Sequence, residues 1–524
     1  MQVLAMPRTG LMTIAAGLGR LTGWRRLGLS FLLGVFATLA LPPVGAWPVL
    51  FLSFPGLIWL MIGVEKRKTA FWLGWFFGFG YFVFSLYWIS HALTVFSDRL
   101  WWMVPFAAMG LPAFLAIYTG LTTLAASFFK KPVSRVFAFV LAWCLFEWLR
   151  GVLFTGFPWN LIGYGWAASD VMIQVASLVG IYGVSMLVMV TTAMPALFVV
   201  DHRPTRVLAL GITILVPVLS LSFGAVRLAE APALALDAAP DMRIVQAGIP
   251  QKEKWAREFQ RRNYEIKLRM SVEDRPDSVK TIIWPETAAT FYLEENEGAR
   301  QSIGFLLPRD GLLITGAPRR EADPSRPRGY RYYNGVVVLD KQGEVVENYN
   351  KSHLVPFGEY VPLKSILPID KVAHGVADYS AGAGPRSLTL PGLPPVSPLI
   401  CYEAIFPGAV INPNQPADWM LNLTNDAWYG KTAGPHQHLA IVRVRAVEEG
   451  VPMVRAANTG ISAVFDSYGR ELGRLPLSSA GVLDFHLPDP IAGRTLYSRA
   501  GNMLFLGVLA GFWIVILVVR RRQN

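Results

Sequence analysis

Cysteine is nearly absent from this chain: Cys144 and Cys401 are the only two in 524 residues. Cys144 sits in an apolar run and Cys401 in a more polar part, so the two are not expected to pair. No disulfide framework supports the fold, and the cysteine count leaves the redox compartment open. Charge is scarce as well. Only 16% of the residues are charged, against about 25% in an ordinary soluble domain, which excludes a wholly water-soluble chain. P-loop, GxGxxG, GxSxG and HExxH motifs and internal repeats are all missing, so nothing points to the nucleotide, serine-hydrolase or zinc-protease chemistry those motifs carry.

What the chain has in quantity is apolar surface. It is 53% hydrophobic, with 31 Phe, 17 Tyr and 17 Trp, and its mean hydropathy is +0.39. Disorder is thereby excluded. A net charge of +12 would suit nucleic acid, but much of it sits in short loops between apolar runs, so no nucleic-acid partner is expected. The apolar runs divide the chain into residues 1–224, a more polar stretch 225–500, and a C-terminal segment 501–524.

Crossing about 30 Å of hydrocarbon takes about 20 apolar residues. Candidate spans are 27–42, 47–63, 69–93, 101–128, 134–154, 171–199 and 205–224, with an eighth at 503–519. Residues 11–22 read as an interfacial helix, and no small-residue cleavage site marks a signal peptide. Arg20, Arg25 and Arg26 precede the first span. Lys66, Arg67 and Lys68 follow the second, Lys130, Lys131 and Arg135 separate the fourth and fifth, and Arg520 and Arg521 close the last. By the positive-inside rule both termini are expected in the cytoplasm and the 225–500 domain on the outer side. Glu147 and Arg150 lie three apart on one face of a span, where they can neutralise each other or meet a lipid headgroup or substrate. Gly74 and Gly78 form a GxxxG that predicts close helix packing.

Within 225–500, short β-branched runs alternate with helical segments, which favours an α/β domain with helices covering the sheets. Strands are predicted at 243–247, 280–284, 311–315, 335–339, 397–400, 419–423, 453–456 and 461–465, and helices at 252–271 and 434–449. Three segments end a strand or open a loop at a reactive side chain: Ile282-Ile283-Trp284-Pro285-Glu286, Tyr349-Asn350-Lys351, and Leu399-Ile400-Cys401-Tyr402-Glu403. Reactive groups at strand ends converge on one edge of a sheet, where α/β enzymes place their sites. A thiol with an ordinary pKa of about 8.5 is mostly protonated at neutral pH. A carboxylate can take its proton and an ammonium can stabilise the anion. Glu286, Lys351 and Cys401 would supply base, electrostatic helper and nucleophile. The Tyr402 N–H and Lys351 would hold an oxyanion, and Glu359, eight residues after Lys351, would orient it or relay protons. Taken singly, such a Cys, Glu and Lys are more often a core residue and two solvated ones.

Carried on WPE, NKSHLVPFGEYVP and ICYE, the Glu–Lys–Cys set resembles the nitrilase superfamily. Joined to an eight-span membrane domain, the chain is similar to the apolipoprotein N-acyltransferase family of bacterial lipoprotein maturation. EWLRGVLFTGFPW (147–159), VQAGIPQKEKW (245–255), NLTNDAWYG (422–430), GPHQHLAIVRVRA (434–446) and NTGISAV (458–464) extend the resemblance over nearly the whole chain. It implies a multi-span α-helical membrane domain of about eight helices plus an αββα nitrilase-like sandwich. That sandwich would face the periplasm of a Gram-negative inner membrane.

The resemblance also implies transfer of a fatty acyl chain through a Cys401 thioester. The donor is a phospholipid, expected to be phosphatidylethanolamine, and the acceptor is the α-amine of a diacylglyceryl-cysteine on an apolipoprotein, with Glu286 acting as base and then acid. Glu359, Tyr402 and Glu403 fall on positions around the nucleophile, and Gln251 and Trp255 near the substrate entrance. No cofactor or metal is implied, and a monomer is expected. The alternative is a membrane-bound nitrilase-like amidase or lipid hydrolase, in which water resolves the thioester.

His436 and His438 point to different sides of a helix, which argues against a metal pair. His353 reads as a hydrogen-bonded loop residue. Trp428 and Tyr429 read equally as packing or as the lining of a lipid entrance. Residues 363–376, LKSILPIDKVAHGV, mix apolar and cationic side chains and are expected to form a mobile arm touching the bilayer.

Overall fold

The computed structural model describes residues 10–94, 101–235, 237–326, 328–362, 364 and 378–521. Apart from Lys364, the expected arm at 363–376 therefore lies outside the described residues. Two compact units emerge. One comprises Met1–Ser90, Trp102–Glu230 and Arg499–Asn524, the other His91–Trp101 and Ala231–Ser498.

The first unit is helical. Among the described residues, Arg67–Leu86, Phe106–Ser127, Pro132–Thr155, Met172–Val199 and Arg203–Ala229 are long and apolar enough to cross a membrane. Of the other three predicted spans, two fall on shorter helical stretches, Gly23–Ala37 with 15 residues and Trp47–Leu60, and the last on the helix Met503–Arg521, with its apolar stretch at Met503–Ile514. At 1.5 Å per residue, 15 residues reach only about 22 Å, so eight is an approximate count. The GxxxG packs as expected. A Cβ on Gly74 would lie 2.2 Å from the Thr119 carbonyl oxygen, and one on Gly78 would lie 1.8 Å from the Thr119 hydroxyl. Thr123 donates to the Ala70 carbonyl at 2.7 Å across the same helix pair, a polar tie of the kind that holds helices together in lipid.

The second unit is a four-layer sandwich. A six-stranded sheet runs β11-β1-β2-β3-β4-β5 and a five-stranded sheet runs β10-β9-β8-β7-β6. Its strands are β1 (Met242–Gln246), β2 (Thr281–Ile283), β3 (Leu312–Ala322), β4 (Tyr330–Leu339), β5 (Val345–Asn350), β6 (Val396–Ile400), β7 (Trp419–Thr424), β8 (Met453–Ala457), β9 (Ser462–Phe465), β10 (Glu471–Leu475) and β11 (Gly481–Phe485). β1, β2 and β3 are mutually parallel, as are β6, β7 and β8.

Side-chain alternation explains why these strands read as unbroken apolar runs. Ile244, Ile283, Ile314 and Val338 of one sheet meet Ile400, Leu421, Leu423 and Val454 of the other in the central core. Their neighbours Val245, Ile282, Leu313 and Val337 turn outward, toward the helical layer that holds Tyr264, Leu268, Ile303 and Leu307. Leu399, Met420 and Met453 pack on Leu439, Val442 and Ala446 of the helix Ala433–Glu449. Both faces are buried, so polar alternation is lost. Eight strands lie where expected. β5, β10 and β11 escaped because they carry Glu, Asn, Arg and Asp on half-exposed faces. The predicted helix 252–271 is broken at Trp255 into Gln251–Lys254 and Arg257–Val272.

Candidate active site

Glu286, Lys351 and Cys401 each follow a strand end. β2 leads into Trp284-Pro285-Glu286, and the Pro285 carbonyl accepts from Gly316 of β3 at 3.2 Å. β5 ends at Asn350, and Lys351 N–H donates to the Asn334 carbonyl of β4 at 2.9 Å. β6 ends at Ile400, and Cys401 opens a tight turn over Cys401–Ile405. Left-handed backbone occurs at Cys401, with φ 51°, at Thr287 beside Glu286, with φ 45°, and at Phe357, two residues before Glu359, with φ 61°. An L-residue there costs roughly 1–2 kcal/mol, a strain that concentrates at functional sites.

The side chains form a buried network. Lys351 Nζ lies 2.9 Å from Glu359 Oε2 and donates to Oε1 at 3.1 Å. Asn334 Nδ2 donates to Glu286 Oε1 at 2.7 Å and to Glu359 Oε1 at 3.0 Å, so one amide bridges both carboxylates. Burial raises the Glu286 pKa above the ordinary carboxylate range, and Glu359 adds to the rise against the opposing pull of Lys351. Burial alone would lower Lys351, but Glu359 and Glu286 hold it above the ordinary lysine value. The Cys401 thiol is pushed up to about 12, first by burial and then by the Glu286 carboxylate, with Lys351 opposing. At neutral pH Cys401 therefore rests as a thiol beside the Glu286 carboxyl group and the Lys351 ammonium, not as a preformed thiolate. Such an arrangement attacks a carbonyl as its proton passes to the carboxylate.

Glu403 is a clamp. Its Oε1 accepts from Tyr349 Oη at 2.8 Å, Ser352 N at 2.7 Å and His353 N at 3.2 Å, while Oε2 accepts from Ile400 N at 2.7 Å. It thereby ties the Lys351 loop to the Cys401 turn. The Tyr402 ring packs on His353 and Phe406, with centroids 5.7 and 5.0 Å away. Burial, and then the neighbouring Cys401, raise the Tyr429 pKa above the ordinary phenol value, while Trp428 is half-buried on the same turn. Gln251 is buried and accepts from Asn425 Nδ2 at 2.8 Å; Trp255 is half-buried just beyond.

Glu147 and Arg150 belong to the helical unit, where both are committed to backbone. Glu147 Oε1 accepts from Ile162 N at 2.8 Å, and Arg150 Nη1 donates to the Phe157 and Trp159 carbonyls at 2.6 and 2.7 Å. The chain that follows their helix is irregular, with positive φ at Phe154, Thr155, Gly156 and Asn160. Irregular backbone within a membrane helix bundle persists only where its polar groups find partners, and these two side chains supply them.

Three participants were not foreseen. Asn334 is an amide inside the apolar strand YNGVVVL, a position where a buried polar residue signals a partner. Lys254 is buried and donates to the Glu286 carbonyl at 2.9 Å; burial pushes its pKa down to about 8. Lys254, Lys267 and Glu286 line one small cavity with Ile249, Pro285, Ala288 and Asn458. The third is a buried group behind Cys401, made by Asp426, His438 and Arg455. One histidine of a helical HQH and one arginine in a strand are weak signals alone, and only the fold places them together.

Comparison with known proteins gives the family. Residues 33–194 match the family described as apolipoprotein N-acyltransferase N-terminal domain, and residues 244–489 match carbon-nitrogen hydrolase. An apolipoprotein N-acyltransferase of Rhodopseudomonas palustris is 39% identical, covering 99% of both chains. One from Brucella melitensis is 40% identical over 96% of this chain and 98% of its own, and one from Rhizobium rhizogenes is 41% identical over 95% of each. Among solved structures, a variant of the Nesterenkonia AN1 amidase from the nitrilase superfamily aligns with 20% identity and a TM-score of 0.36, covering 51% of this chain and 97% of that one. With full-length relatives at this identity, the chain belongs to the apolipoprotein N-acyltransferase family.

Proposed function

We propose that this membrane enzyme transfers a fatty acyl chain from a phospholipid to the α-amine of a diacylglyceryl-cysteine at the N-terminus of an apolipoprotein, with Cys401 as the carrier. The observation that carries the reading is the buried Glu286–Asn334–Glu359–Lys351 network facing a strained, thiol-bearing turn. Cys401 Sγ attacks the ester carbonyl while its proton passes to Glu286. The oxyanion is held by the Tyr402 N–H and the Lys351 ammonium. The intermediate collapses, Glu286 returns the proton to the departing glycerol oxygen, and a thioester and a lysophospholipid result. The α-amine then attacks the thioester, Glu286 takes its proton, and collapse forms the amide and restores the Cys401 thiol. Splitting the transfer in two lets each lipid-anchored substrate react in turn.

The finer features belong to the same proposal. Phosphatidylethanolamine is the donor and the working form is a monomer. The 1–224 and 501–524 segments anchor the enzyme in a Gram-negative inner membrane, both termini are cytoplasmic, and the 225–500 domain is periplasmic. The basic loops support this orientation. Gln251, Trp255 and Trp428 border the substrate entrance.

The test is intact-protein mass spectrometry of detergent-purified enzyme incubated with a defined phosphatidylethanolamine. One hydroxylamine-labile acyl adduct on Cys401, discharged by a diacylglyceryl-peptide as an amide, is the expected result. Discharge by water alone would make the protein a lipid hydrolase, and no adduct on folded protein would remove the reading.

Two further outcomes follow from the site. The acylation rate depends on ionised Glu286, whose pKa is raised, so the rate falls with acidification already above the ordinary glutamate range. Glu359 contributes to that rise, so Glu359→Gln is expected to move the acid limb to lower pH, as read from burst rates across a pH series. Gly316→Ala would place a Cβ 2.4 Å from Thr287 N and 2.6 Å from Glu286 Cα, both backbone atoms. Moving the base by a fraction of an ångström is expected to slow acylation by about 10- to 100-fold in folded enzyme, as measured by time-resolved adduct formation.

A further inference from the structure

Behind the nucleophile lies a polar group that the acyl-transfer steps do not use. His438 stands on the helix Ala433–Glu449, Asn422 on β7, Asp426 just after β7, and Arg455 on β8. His438, Asn422 and Arg455 have no exposed surface and Asp426 has 1%. Replacing a fully buried ion pair by packed apolar residues is often neutral or stabilising, so stability alone gives little reason for this cluster.

Its contacts converge on one atom. His438 Nε2 lies 3.3 Å from the Cys401 carbonyl oxygen, and Asn422 Nδ2 donates to the same oxygen at 3.4 Å. A carbonyl only accepts, so Nε2 carries a proton. Nδ1 has an acceptor beside it, Asp426 Oδ1 at 3.0 Å, and a donor, Arg455 Nη2 at 3.3 Å, so either protonation state of Nδ1 is satisfied. Arg455 also donates to Asn422 Oδ1 and pairs with Asp426 Oδ2 at 2.5 Å. One guanidinium therefore braces both donors to the Cys401 carbonyl.

In a trans peptide the C=O of one residue and the N–H of the next point in opposite directions. Holding the Cys401 carbonyl from behind fixes the direction of the Tyr402 N–H in front. We propose that His438, backed by Asp426 and Arg455, is a positioning residue that aims the Tyr402 N–H at the oxyanion and holds Cys401 in its left-handed conformation. This inference rests on the acyl-enzyme reading above. It assigns His438 a part in the chemical step and none in donor binding.

Two near-isosteric variants separate this role from a structural one. A glutamine amide nitrogen reaches about the position of the imidazole Nε2, whereas an asparagine amide nitrogen reaches about that of Nδ1. His438→Gln keeps the donor to Cys401, and His438→Asn keeps only the side facing Asp426. Burst acylation of the full chain in detergent would be followed by intact mass at several phosphatidylethanolamine concentrations. His438→Asn is expected to lower the maximal acylation rate about 100-fold, the scale of losing one oxyanion donor, with the half-saturating donor concentration unchanged. His438→Gln is expected to recover at least about tenfold of that loss, and His436→Gln, on the same helix but making none of the hydrogen bonds to the Cys401 carbonyl, should match the wild type. Equal rates for His438→Gln and His438→Asn, or a loss confined to half-saturation, would overturn the proposal. Failure of the wild type to form any adduct would instead overturn the acyltransferase reading.

Discussion

Cys401→Ala is expected to abolish both the acyl adduct and transfer to the acceptor peptide, a loss of at least about 10⁴-fold, because every later step passes through the missing sulfur. The fold should survive. Alanine removes one buried atom from a turn whose backbone is held by Glu403 through Ile400 N and by His438 and Asn422 through the Cys401 carbonyl. A melting temperature within a few degrees of the wild type, together with retained donor binding, would tie the loss to chemistry. Peptide acylation by the alanine variant at even one per cent of the wild-type rate would mean that the acyl chain moves without the thioester. Cys401→Ser should also be severely impaired, since a carboxylate is a poor base for an alcohol far less acidic than the thiol.

Lys351→Met is expected to damage stability and activity together. The ammonium is 1% exposed and pairs with Glu359 at 2.9 Å. Without it, Glu286 and Glu359 share the Asn334 amide with no buried cation directly between them. Removing one partner of a buried pair costs about 3–5 kcal/mol, and losing the oxyanion's cation adds a rate loss of about 10³-fold. The double variant Lys351→Met/Glu359→Gln discriminates the two effects. It removes the stranded charge and should recover most of the stability while acylation stays low. Recovery of both would show that Lys351 serves only to neutralise Glu359. The measurements are chemical denaturation in detergent and the burst rate of adduct formation.

Much of this site was legible in the sequence because its chemistry sits at strand ends. WPE, YNK and ICYE each join a buried apolar run to a reactive side chain, and such runs are recognisable when both faces of a strand are covered. The same logic fails for β5, β10 and β11, whose half-exposed faces carry mixed residues that resemble loops. Lys254 was passed over because a lysine in KEKW reads as solvated. In the fold it closes the short helix Gln251–Lys254 and is buried against the Glu286 carbonyl, a partner 32 residues away. Glu147 and Arg150 stood out as intramembrane charges, but their partners, the backbone groups of Phe157, Trp159 and Ile162, depend on how an irregular segment folds back.

The apolar helical part, the two-faced burial of the central strands and the proposed Glu–Lys–Cys set are legible in the chain alone, because hydrophobic period and residue chemistry are local properties. How those groups are tuned depends on contacts that the fold creates. The bridging of Glu286 and Glu359 by Asn334 and the brace from Arg455 through His438 to the Cys401 carbonyl join residues from 17 to 48 positions apart. Hydrogen bonds act over about 3 Å, and chain separation carries no record of which distant groups the fold will bring within that reach.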